Sequence, residues 1–498
     1  MSAMGSHRAL RTGIWVSERP PLARRDIRGG GHLLRAGRYE PLLATVRART
    51  SGLVVPRARL IAFLGGIAVA LLAVVLLATS GVFGRVLSNG TAAQRTAAGH
   101  GAGRAAGAPK AGGIRSPAAA AAANTPGGKF AAVPASLGLR PGAVSPNAAG
   151  IAAAQAALPK LDAYQLAGQR VIWSYSGLNP PGRLLWAISH GRAAGVIFFS
   201  DNVGSNAHIA AVVKELQKAN AAKTNPVRQP LLLMTDQEGG LVRRLSGPPG
   251  LSAKQMGQAA HPQDTATREG RLTGSFMHGL GVNVNLAPVL DVYRTPGNFI
   301  DQYGRSFSNK PGVVSKLGRL FLTAMQARGV AATVKHFPGL GAAARSQNTD
   351  ERQVTLNVPL SRLRSIDELP YKGAIAAKVK LAMVSWAVYP ALDKKFPAGL
   401  SATIVQGELR KRLGFAGVTI TDALNAGALA NFGTTGRRAV LAADAGMDLI
   451  LCSVENPAQG SAAMVALRNE FVKLSPTRQA EFKAAAERVV ALRATLGP

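Results

Sequence analysis

From residue 151 onward, short apolar runs rich in β-branched residues alternate with longer amphipathic stretches rich in Ala and Leu. Eight such runs stand out: RVIWSY (170–175), AGVIFF (194–199), PLLLMT (230–235), VNVNLAP (282–288), AATVKHF (331–337), LAMVSW (381–386), GVTITD (417–422) and MDLILC (447–452). They lack the polar–apolar alternation of a one-sided sheet, and helical patterns separate them. Strands of that kind belong to a parallel sheet covered on both faces. Eight βα repeats predict an α/β fold, a (β/α)8 barrel of the TIM type, over residues 151–498. A doubly wound open sheet shares the alternation, but no Gly-rich phosphate fingerprint follows a strand here.

Upstream, the pattern changes three times. Residues 1–59 carry 12 Arg and 3 acids without apolar periodicity, which predicts a disordered basic arm. Residues 60–83, LIAFLGGIAVALLAVVLLATSGVF, hold no charge over 24 positions, whereas a membrane span needs about 20. The arginines before it place the N-terminus in the cytoplasm and the rest outside, as a single-pass protein of the cell membrane. A cleaved signal peptide is the competing reading, and the long basic region ahead of the apolar run argues against it. Residues 84–150 are Ala, Gly and Pro with scattered cations, a composition that reads as a flexible tether.

Composition adds two constraints. A single cysteine, Cys452, excludes an intramolecular disulfide and a Cys-cluster metal site. The net charge of +34 suits an anionic neighbour such as an envelope polymer or lipid, and equally suits a genome biased towards Ala, Gly and Arg. Nucleic acid is not expected, because no recognised binding motif accompanies the 40 Lys and Arg against 22 Asp and Glu of the barrel region.

In such a barrel the chemistry lies where strands end. Asp236, Glu238, Arg243 and Arg244 follow the third run, Arg305 lies past the fourth, Lys335 and His336 end the fifth, and Asp422 ends the seventh. A strand-end Asp also serves as a helix N-cap, so Asp422 has that second reading. A Lys–His pair at a barrel mouth needs carboxylate partners. Cations and carboxylates gathered at one rim suit a polyhydroxylated ligand such as a sugar. There is no His/Cys/Asp set at metal spacing, no GxSxG elbow, and no cofactor is expected.

The segments MTDQEGGLVRRLSGPPG, NLAPVLDV, YGRSFS, VKHFPGLG, YPALD and GVTITDALNAGAL occur in this order. Together they resemble glycoside hydrolase family 3, in its single-barrel β-N-acetylhexosaminidase branch, which acts on peptidoglycan fragments. The resemblance implies a retaining exo-β-glycosidase of cell-wall amino-sugar glycans. It implies Asp422 as the nucleophile that forms a covalent glycosyl-enzyme, with Asp236, Arg244, Arg305, Lys335 and His336 holding sugar hydroxyls. An ionised carboxylate beside the anomeric carbon fits the positive charge of a glycosyl transition state.

One loop departs from that family. Relatives read KHFPGHG and then Asp-Ser-His, whose histidine is the acid/base. Here the first histidine is Leu340, and Ser346, Gln347 and Asn348 stand where Asp-Ser-His is expected. Asp350 and Glu351 are the nearest replacement acids, delivered by a mobile loop. The other readings are a catalyst confined to activated glycosides or to another acceptor, and a non-catalytic sugar-binding relative.

Overall fold

All eight apolar runs form strands of one parallel sheet. The computed structural model describes residue 152 and residues 155–497. The basic arm (1–59), the apolar segment (60–83) and the tether (84–150) lie outside the described residues. Among the described residues, no helix is long and apolar enough to cross a membrane. The strands are β1 (Val171–Trp173), β2 (Gly195–Phe198), β3 (Leu232–Thr235), β4 (Val284–Asn285), β5 (Ala331–Phe337), β6 (Leu381–Val384), β7 (Val418–Thr421) and β8 (Ile450–Leu451). Their spatial order is β7-β6-β5-β4-β3-β2-β1-β8. A parallel bridge between Ile420 and Leu449 joins the two ends, so the ring closes as expected of the barrel.

Side chains alternate across a strand, and here the alternation sorts them into two apolar layers. Ile172, Ile197, Leu232, Met234, Val284, Leu381, Met383, Val418 and Ile420 pack together inside the ring. Their neighbours Val171, Trp173, Val196, Phe198, Leu233 and Val384 belong to the outer layer shared with the helices. Both faces are therefore apolar, which explains the unbroken apolar runs. Continuing the same alternation past the last inward residue turns Asp236 (after Met234) and Asp422 (after Ile420) inward at the C-terminal rim. On β5 it does the same for Lys335, after Ala331 and Thr333.

Two short hairpins extend that rim. Gln237–Gly239 pairs with Val242–Arg243 directly after β3, and Val388–Tyr389 pairs with Asp393–Pro397 after β6. The opposite end is stoppered by the last helix, Pro476–Ala494, whose Val489 and Leu492 join the inner layer. Arg493 of this helix is fully buried. Its guanidinium donates to the carbonyls of Pro230 (2.9 Å) and Gln229 (2.7 Å), to Asn220 Oδ1 (3.0 Å) and to Gln169. Burial pulls its pKa down to about 9.

Because four acceptors depend on Arg493, replacing it with Ala leaves buried polar groups unsatisfied. Arg493→Ala should lower the unfolding free energy by about 3 kcal/mol or more in urea titrations. An unchanged midpoint would show that the stopper is held by its apolar contacts alone.

Candidate active site

The rim is organised by one buried carboxylate that the family resemblance does not single out. Glu238 accepts from Arg305 through two parallel bonds, Nε to Oε2 at 2.9 Å and Nη2 to Oε1 at 2.8 Å, and Lys335 Nζ lies 2.8 Å from its Oε1. Lys335 also donates to Asp236 Oδ1 at 2.7 Å. Burial alone would push the Glu238 pKa up, but Arg305 and Lys335 outweigh it and hold it well below the usual range. Asp236 has the same balance: burial raises its pKa, while Lys335 and Arg244 bring it net below normal. For Lys335, burial favours the neutral amine and the two carboxylates overcome it, so its pKa is raised.

His336 follows Lys335 and serves a second buried acid. Its Nδ1 lies 2.7 Å from Asp291 Oδ2, and its Nε2 lies 3.3 Å from Arg305 Nη2. Asp291 is fully buried, and its Oδ1 also accepts the amide of Leu340 at 2.7 Å. Asp291 therefore fixes both the imidazole and the root of the loop after β5. The sequence contained it within NLAPVLDV, but nothing in its spacing marked it, because its partners lie 45 and more positions away.

Asp422 is placed differently. It is half-buried, and its Oδ1 accepts only the next amide, Ala423 N–H, at 2.7 Å. Among the described residues no salt bridge reaches it. It caps no helix: the short 3-10 helix Gly427–Phe432 begins after Ala426, and the next α-helix, Thr435–Ala445, is capped by Thr434, whose side chain accepts from Arg437 N. The turn after Asp422 is firm. Trp386 Nε1 donates to Ala423 O at 2.9 Å, and Leu424 N donates to Leu451 O at 3.0 Å. Trp386 itself is fully buried, so it is a core residue.

The loop after β5 brings Asp350 to this turn. The Gly427 amide donates to Asp350 O at 2.7 Å, and the Ala428 amide donates to Thr349 O at 3.0 Å. The Asp350 side chain is exposed to solvent at the surface of this loop. Burial and then the charge of Asp422 push its pKa up to about 6, against the pull of Arg305 and His336. Glu351 points into other company: its carboxylate accepts from Asn348 Nδ2 (3.1 Å) and Arg352 Nη2 (3.3 Å). Gln347 and Asn348, in the place of the usual dyad, fold the loop on itself, accepting from the amides of Ala344 (2.7 Å) and Asp350 (3.0 Å). Beside this loop opens a cavity of about 550 Å³ lined by Phe299, Tyr303, Arg345, Ser346, Glu351 and Arg352, among others.

The structure thus places Asp236, Arg305, Lys335 and His336 in one charged network. Arg244 and Asp350 are linked to it by their charges. Glu351 stands apart, held by its neighbours on the loop. Among the described residues, no group of three or more His, Cys, Asp or Glu gathers as a metal site would.

Comparison with known proteins adds the following. Residues 171–492 match the model of the glycosyl hydrolase family 3 N-terminal domain. A protein of Arthroderma benhamiae described as an uncharacterized secreted glycosyl hydrolase is 44% identical over 349 residues, covering 70% of this chain and 97% of that relative. Beta-hexosaminidase A of Pseudoalteromonas piscicida is 32% identical over 55% of this chain, which spans about half (48%) of that protein. Among solved structures, a family 3 β-N-acetylglucosaminidase from Paenibacillus sp. FPU-7 superposes with a TM-score of 0.62 at 33% identity, covering 68% of this chain and 64% of that one. A β-N-acetylhexosaminidase from Beutenbergia cavernae gives 0.61 at 30% identity, covering 67% and 98%.

The shared carboxylate makes a direct test possible. Glu238→Gln keeps the shape but leaves two buried cations without their common partner. It should cost about 3 kcal/mol or more of unfolding free energy in urea titrations. A variant as stable as the parent would show that Asp236 alone satisfies the pair.

Proposed function

The chain belongs to glycosyl hydrolase family 3, and from that premise we propose that it is a retaining exo-β-glycosidase working through Asp422 and Asp350. The observation that carries this reading is that the turn bearing Asp422, itself in no ion pair among the described residues, docks through the amides of Gly427 and Ala428 on the backbone of the loop bearing Asp350, where the surrounding protein and the charge of Asp422 raise the Asp350 pKa to about 6. Asp422 attacks the anomeric carbon and the C–O bond to the leaving group breaks. Asp350 gives its proton to the departing oxygen. The resulting glycosyl ester no longer carries the Asp422 charge, so Asp350 becomes a stronger acid and stays ionised. It then takes a proton from water, which attacks the ester, releases the sugar with retained configuration and frees Asp422.

Asp236, Arg244, Arg305, Lys335 and His336 bind sugar hydroxyls in this reading. The substrate class we propose is β-linked N-acetylglucosamine in cell-wall glycans, in keeping with the hexosaminidases and the N-acetylglucosaminidase among the relatives. Glu351 is the weaker choice of acid, because Asn348 and Arg352 already occupy its oxygens. We further propose that residues 60–83 anchor the chain in the membrane, that 84–150 tether the barrel, and that the cationic surface keeps it near anionic envelope polymers. The support is the uncharged 24-residue run behind an Arg-rich arm.

Three outcomes are expected. Asp422→Ala should reduce release from an aryl β-N-acetylglucosaminide to background. Asp350→Asn should cost about 10²-fold or more in kcat/KM on a poor leaving group and little in kcat/KM on a nitrophenyl one, while Glu351→Gln changes neither. Since Asp350 must be protonated to donate, kcat/KM on the poor leaving group should fall as pH rises through about 6, and this limb should vanish in Asp350→Asn. A sugar bound but never released would make the protein a binding module instead. For the anchor, carbonate extraction should leave the full chain in the membrane fraction; recovery in the soluble fraction would remove that proposal.

A further inference from the structure

The two carboxylates sit on different strands' loops, yet two backbone hydrogen bonds tie those loops together. Asp422 and Gly427 share the turn that Trp386 and Leu451 hold from outside. From that turn the amides of Gly427 and Ala428 grip the carbonyls of Asp350 and Thr349. The other end of the loop is equally fixed. Asn298 Nδ2 donates to Gly341 O at 2.8 Å, and the Arg294 amide donates to the same carbonyl at 3.0 Å. The loop expected to be mobile is stapled at both ends.

Gly427 has no room for a side chain at this staple. A Cβ there would lie 2.2 Å from the carbonyl oxygen of Glu351, 2.3 Å from its carbonyl carbon and 2.9 Å from the amide nitrogen of Arg352. All three are backbone atoms, so no side chain can swing away to relieve the contact. A methyl group forces the two loops apart along the segment that carries Asp350.

We propose that Gly427 is a positioning residue for proton transfer: its bare Cα lets the turn that bears the nucleophile dock on the backbone of the acid-bearing loop and set where the Asp350 carboxyl stands. This rests on the assignment of Asp350 as the proton donor. It goes beyond that assignment, since it explains how a donor displaced from the family's usual position is kept in register with Asp422. A displacement of about 1 Å in such a pair is enough to cost on the order of 10²-fold in rate.

The test compares the full-length parent with Gly427→Ala, Asp350→Asn and Gly407→Ala on a nitrophenyl and a methoxyphenyl β-N-acetylglucosaminide. Gly407 is the control, because a Cβ there meets nothing within 4 Å. Gly427→Ala should resemble Asp350→Asn: about 10²-fold lower kcat/KM on the methoxyphenyl substrate, a change within about threefold on the nitrophenyl one, and a displaced alkaline limb. Retained nitrophenyl turnover shows that the variant folds. If Asp350→Asn is impaired and Gly427→Ala is not, the positioning role is wrong and the donor stands. If Gly427→Ala loses both substrates equally, its role is structural and the inference is overturned. If Asp350→Asn is itself unimpaired on the methoxyphenyl substrate, the donor assignment fails and the inference fails with it.

Discussion

The barrel mouth depends on how its charges are shared out. Lys335 is a buried cation and Arg305 a largely buried one, and an apolar barrel tolerates such charges only with partners. Glu238 serves both, and Asp236 takes the remaining bond from Lys335. His336 is likewise committed to Asp291. With these cations spoken for, Asp422 stands at the same rim with only an amide for company. Its charge acts on Asp350 across the gap between two loops. In the proposed mechanism, the attacking carboxylate and a neighbouring carboxyl of raised pKa therefore arise from one distribution of charge.

That arrangement also explains why an altered loop remains compatible with the chemistry. The family's usual histidine positions are Leu340 and Asn348 here. Leu340 is buried in the outer apolar layer and its amide anchors to Asp291, while Asn348 braces the turn that presents Asp350. In the proposed mechanism the loop exchanges an imidazole for the Asp350 carboxyl, whose pKa is lifted by the surrounding protein and by the charge of Asp422. General acids work best when their pKa lies near the working pH, and a lone exposed aspartate does not meet that condition.

Much of this was legible in the chain. The eight apolar runs became the eight strands because burial on both faces leaves a signature in composition, and the period of two then aimed Asp236, Lys335 and Asp422 at the same rim. What escaped was long-range. Glu238 stood among the strand-end residues, yet its place as common partner of Arg305 and Lys335 depends on pairs 67 and 97 residues apart in sequence. Asp291 carried no local mark at all. The docking of the Asp350 segment on the Asp422 turn, through the amides of Gly427 and Ala428, is a contact that no periodicity encodes. Trp386 likewise braces the Asp422 turn through a carbonyl 37 residues away.

The most direct measurement is a carbon-13 NMR titration of aspartate carboxyls, comparing the parent with Asp422→Asn. Asp350 should titrate near pH 6 in the parent. Removing the charge at residue 422 should move it down towards the ordinary carboxylate range, with burial leaving part of the elevation. An Asp350 resonance that titrates as a normal aspartate in the parent, or that does not respond to the substitution, would contradict the coupling on which the two-carboxylate mechanism stands.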